Sequence, residues 1–108
     1  MAYDTHLEAG IDKLTLQWGL GKKPMFGGLG YFLGGNMCFG IHKDELIVRA
    51  TEEQGKELLK EPGMRPFDMS RHPMKTWFMG GGNAISDSNN LLKLLEIGRD
   101  YALNLPPK

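Results

Sequence analysis

Leu29-Gly30-Tyr31-Phe32-Leu33, then Gly34-Gly35-Asn36, then Met37-Cys38-Phe39-Gly40-Ile41, is the stretch that decides the fold. Two short apolar runs flank a turn made of residues that tolerate the positive φ a hairpin requires, and no helical periodicity runs through them. An antiparallel hairpin follows. Alternation along the second run places Met37, Phe39 and Ile41 on one face and Cys38 and Gly40 on the other. After the polar turn His42-Lys43-Asp44, Leu46 to Arg49 supplies a third strand, so the hairpin extends into a meander whose larger apolar side chains turn toward a helix. A further short strand is read at Pro24 to Phe26.

Upstream, Thr5 and Glu8 form a capping-box pattern, and Leu7, Ile11, Leu14 and Trp18 recur at the spacing of one helical face. A helix over 5–18 is predicted, ended by Gly19 and Gly21, with Asp4, Glu8 and Asp12 at the positive end of its dipole. Downstream, Thr51 and Gln54 repeat the capping box and open a short helix through Leu58 and Leu59, which Pro62-Gly63 stops. Residues 61–73, with three prolines, read as loop. Met74 to Met79 reads as a strand with Trp77 and Met79 on one face, broken by Gly80-Gly81-Gly82. Ser86-Asp87-Ser88 offers N-caps for a last helix striped by Leu91, Leu94, Leu95, Ala102 and Leu105 and ended by Pro106-Pro107. The fold class is α+β: an antiparallel β-meander sheet packed against an N-terminal helix, a short middle helix and a C-terminal helix. Residues 1–108 read as a single domain, without a linker or a repeat.

The composition supports a folded chain. With 41% hydrophobic and 24% charged residues, the disordered, collagenous and membrane-spanning classes are excluded. The 13 basic residues balance the 13 acidic ones, so no overall field draws the chain to nucleic acid or to an anionic membrane. One cysteine forms no internal disulfide and no apolar segment follows the first residue, which makes the expected location cytoplasmic.

Chemistry-bearing constellations are sparse. Cys38 and His42 lie four apart along an extended strand, roughly 13 Å between Cα atoms, beyond hydrogen-bond reach. A lone cysteine beside Met37 and Phe39 reads as a core residue. His6, Cys38, His42 and His72 lack metal-ligand spacing, and no cofactor is expected. Asp44-Glu45 and Glu52-Glu53 read as turn and helix-start acids. The run Lys22-Lys23-Pro24-Met25-Phe26-Gly27-Gly28 sets basic residues beside glycines but lacks the order of a P-loop and leads into a strand, so Gly27 and Gly28, like Gly35 and Asn36, are assigned to turns. Between 62 and 81, Arg65, Arg71 and Lys75 face only Asp68, with His72, Phe67, Trp77 and Phe78 nearby. Met64, Met69, Met74 and Met79 fall in the same stretch at a spacing that fits neither helix nor strand; such methionines fill core gaps or line adaptable binding surfaces.

Met25-Phe26-Gly27-Gly28, the hairpin Gly35-Asn36-Met37, Leu46-Ile47-Val48-Arg49, Pro62-Gly63 with Arg65-Pro66, and Pro73-Met74-Lys75 with Trp77 occur in an order that resembles the N-terminal domain of the TfoX (Sxy) competence-regulator family. The resemblance runs from the first helix to Leu105-Pro106-Pro107-Lys108. Thr76, where relatives are expected to carry glycine, and the triple glycine depart from the pattern. The resemblance implies an α+β fold with a central antiparallel sheet. In full-length members a second, helical domain follows and the two together activate genes for DNA uptake alongside a transcription factor; that second domain is not expected in this chain. The family brings no catalytic residues to transfer.

The leading functional reading is a non-enzymatic interaction and regulatory module that binds a protein partner, with the transcription machinery as one candidate. Its expected surface is Arg49, Arg65, Arg71, Met74, Lys75 and Trp77, with Lys22, Lys23, Met25 and Phe26 as secondary candidates. Alternatives are direct nucleic-acid binding through the local basic and aromatic residues, homodimerisation through an exposed sheet edge, and a small-ligand binder or enzyme using His42, His72 or Cys38. No membrane partner is expected.

Overall fold

The computed structural model describes residues 3–25, 28–67 and 75–107. Gly34 and Gly35, at φ +61° and +83°, form the two-residue turn of the central hairpin, a conformation with positive φ at both positions that glycine adopts without a Cβ clash. This turn joins β2 (Gly28–Leu33) to β3 (Asn36–His42). With β1 (Gly21–Met25) before them and β4 (Glu45–Arg49) after them, these strands form the expected meander. Two more strands complete an antiparallel six-stranded sheet: β5 (Met64–Pro66) and β6 (Trp77–Gly80), in the order β1-β2-β3-β4-β6-β5. Among the described residues four helices accompany the sheet, α1 (Thr5–Leu14), α2 (Glu52–Leu58), α3 (Asn83–Ser86) and α4 (Ser88–Leu103), so the chain is α+β.

Cross-strand register defines two faces. Tyr31 opposes Phe39, Phe39 opposes Val48, and Val48 opposes Phe78; one step along, Leu29, Ile41 and Leu46 oppose in turn. These side chains form the core with Leu7 and Ile11 of α1, Leu58 of α2, and Leu91, Leu94 and Leu95 of α4. Leu94 and Leu95 are fully buried, worth about 1.5–3 kcal/mol each against exposure. A Cβ at Gly98 would lie 2.4 Å from the Cys38 carbonyl oxygen, which measures how closely α4 approaches β3. No helix among the described residues is long and apolar enough to cross a membrane.

Strict alternation on β3 fails at one point. Tyr31 opposes Phe39 but Phe32 opposes Met37, so Cys38 is an extra residue, a β-bulge. Cys38 is fully buried in the core, whereas the Met37 methyl comes to 2.8 Å from where a Gly40 Cβ would stand. Met37 therefore lies on the Gly40 face and not, as alternation predicts, on the Phe39 face.

Other boundaries move for local reasons. Asp4, not Thr5, caps α1: its carboxylate accepts from the His6 and Leu7 N–H groups at 2.8 and 3.2 Å, while its own N–H donates to the Lys43 carbonyl at 2.7 Å. The helix ends at Leu14, and buried Thr15 turns its hydroxyl back to the Ile11 carbonyl at 2.9 Å. The Thr51–Gln54 capping box forms as predicted, with both reciprocal bonds at 3.1 Å. Asp87 stands at the N-cap of α4 without a side-chain cap bond, and Leu105 lies past the end of that helix. Strand β5, inside a stretch read as loop, is only three residues long and ends in proline, too short for alternation to show.

Candidate interaction surface

The register of β4, β6 and β5 brings several candidate residues onto the second face of the sheet. Arg49 stands directly opposite Trp77, and Ile47 opposite Met79, which in turn opposes Arg65. Side chains two apart along a strand point the same way, so Arg49, Trp77 and Arg65 share this face. Ile47 and Met79, lying between them, are buried. Lys23 and Met25 of β1 belong to the same face through Gly30 and Gly28, the first exposed and the second half-buried. Lys75 is exposed, two residues before Trp77. Arg71, Met74, Phe26 and Gly27 lie outside the described residues, as does His72.

Lys22 belongs to the other face. It opposes Tyr31 and binds α1, its ammonium group 2.9 Å from Glu8 and 2.8 Å from Asp12. Hydrogen bonds to Asp12 and then Glu8 raise its pKa. Tyr31, buried beneath it, donates its hydroxyl to Asp12 at 2.9 Å, and burial first, that bond second, pushes the phenol upward. Lys22 is thus part of the joint between α1 and the sheet.

Arg65 is engaged as well, donating through Nε and Nη2 to the two carboxylate oxygens of Glu45. Arg49 differs. Its guanidinium carbon lies 5.1 Å from the Trp77 ring centroid and 4.7 Å from that of Tyr101 on α4. Its Nε is buried and has no hydrogen-bond partner. Tyr101 was not legible in the sequence as a site residue, because a half-buried tyrosine late in a helix carries no motif; only the packing of α4 against the strand ends brings it to Arg49.

The residues assigned to turns have distinct roles. A Cβ at Gly28 would meet the Ile41 carbonyl oxygen at 2.0 Å, so close strand pairing requires glycine there. Asn36 begins β3 and donates its side-chain amide to the Pro106 carbonyl at 2.9 Å, tying the C-terminal stretch to the hairpin. Cys38 is enclosed: its Sγ approaches the Asn36 carbonyl at 4.0 Å, and burial pushes the thiol up to about 11, the opposite of what activates a nucleophile. An open groove of about 420 Å³ lies at the far end of β4 from Arg49, lined by Asp44, Glu45, Gly63, Gly81, Gly82 and Asn83. Its carboxylate Glu45 is the one held by Arg65.

The TfoX N-terminal domain model matches residues 15–99, a span that takes in every strand, α2, α3 and most of α4. The chain belongs to the TfoX N-terminal domain family. The TfoX N-terminal domain is a competence-regulator-like domain, and its matched span includes both Arg49 and Trp77. Comparison with curated proteins and with solved structures found no match.

Proposed function

We propose that this TfoX N-terminal domain is a non-enzymatic interaction and regulatory module that binds a protein partner through the second face of its sheet. The observation that carries the reading is that strand register puts Arg49, Trp77 and Arg65 on that one face, with Arg49 directly opposite Trp77. Apolar Ile47 and Met79 between them are buried, so the partner meets a charged and aromatic rim, the composition in which interface anchors concentrate. Lys75, exposed two residues before Trp77, extends the proposed surface.

The test starts from affinity capture with the purified domain and continues with a reconstituted complex of domain and captured protein. Trp77→Ala and Arg65→Ala are each expected to weaken the complex about tenfold or more. Unchanged affinity in the double variant, with the fold intact by circular dichroism, would remove this face from the function.

A further inference from the structure

Three arginines lie among the described residues, and two have their charge answered within the fold. Arg65 grips Glu45, and Arg99, lying 4.5 Å over the Trp18 ring, pairs with Asp100 at 3.1 Å. Among the described residues, Arg49 has neither an ion-pair nor a hydrogen-bond partner. We propose that Arg49 receives a carboxylate from an acidic side chain of the protein partner, with Trp77 and Tyr101 as the walls that hold its guanidinium in place. This deepens the preceding reading and rests on it.

Aromatic rings attract a guanidinium through their quadrupole but do not neutralise it. They also restrict its rotamers, so a ligand that binds it meets a group already fixed in position. An unpaired, buried N–H is uncommon in a native structure because its desolvation is uncompensated. The two Nη groups also have no hydrogen-bond partner among the described residues, and the residue as a whole is only half-buried. A planar fork with free donors fits the two oxygens of a carboxylate. A phosphate backbone is the weaker match, since it calls for a track of free cations. Here the net charge is zero, Lys22 is bound to Glu8 and Asp12, and Arg65 is bound to Glu45.

The experiment follows the arginine Nε–Hε signals of the ¹⁵N-labelled domain, with the Arg49 signal assigned by its loss in Arg49→Lys. Three probes are titrated at fixed ionic strength: a blocked Gly-Glu-Gly peptide, its Gly-Gln-Gly counterpart, and inorganic phosphate. The glutamate peptide should move the Arg49 signal saturably while those of Arg65 and Arg99 stay, and the glutamine peptide should leave all of them unmoved. Trp77→Leu should weaken the response about tenfold, whereas Tyr101→Phe, which keeps the ring, should preserve it. An Arg49 signal indifferent to the glutamate peptide, or equally sensitive to the glutamine peptide, overturns the proposal. A tighter response to phosphate overturns it in favour of a nucleic-acid ligand. Failure here counts against the carboxylate alone, because binding of a captured partner is measured separately; in that complex, full affinity with Arg49→Lys would likewise overturn it.

Discussion

Lys22 and Arg49 are both cations laid against aromatic rings, and their surroundings differ in one respect. Lys22 lies 5.7 Å from the Tyr31 centroid and reaches two carboxylates of α1. Arg49 lies over two rings and reaches no carboxylate among the described residues. The same local contact therefore has two outcomes: where the fold itself supplies the counter-charge, the cation joins elements together, and where it does not, the charge is left unanswered, which is the basis of the carboxylate proposal above.

High pH brings the largest effect, and it acts through Cys38 in the core and through Tyr31 beneath Lys22. Cys38 has a folded pKa of about 11 against an ordinary 9.0, and that of Tyr31 is raised as well. The neutral forms are the ones the fold favours, so this stability is intact below pH 9 and is lost as pH rises from 9 through about 11. Cys38 alone accounts for roughly 3 kcal/mol of that loss. Urea midpoints across the alkaline range should fall steeply, and Cys38→Ala should flatten the fall.

Next in size is Asp12→Ala, which leaves the buried Tyr31 hydroxyl without its acceptor and Lys22 with half of its partners. A loss of about 1–3 kcal/mol in urea unfolding is expected; a neutral result would mean that the joint between α1 and the sheet is not held there. Lys22→Met should cost less than about 1 kcal/mol, because its ion pairs are well exposed to solvent. Smallest is Arg49→Met, expected within about 0.5 kcal/mol of zero, since removing an unsatisfied buried donor offsets the lost ring contacts. Destabilisation of about 2 kcal/mol or more by calorimetry would place Arg49 with the structural cations and erase the comparison.

The hairpin, the meander and the last helix were legible because each is announced locally: glycines at a turn, alternation over five residues, leucines at helical spacing. The bulge at Cys38 was not, since an extra residue leaves no mark until the partner strand is in place, and it sends Met37 to the face that alternation denies it. Arg49 and Trp77 were both picked out by residue type. That they stand opposite each other depends on β6 pairing with β4, a long-range choice that no local pattern encodes, and Tyr101 joins them only through helix packing.

The rims of the sheet have a consequence for how the molecule behaves in concentrated solution. One rim, β1, bears Lys22, Lys23 and Pro24; the other, β5, is three residues long and finishes at Pro66. Lysine charge, a missing amide hydrogen and brevity are the devices by which open sheets discourage further strands from annealing to them. A sheet whose rims are guarded in this way resists the edge-to-edge annealing that leads to fibrillar stacking.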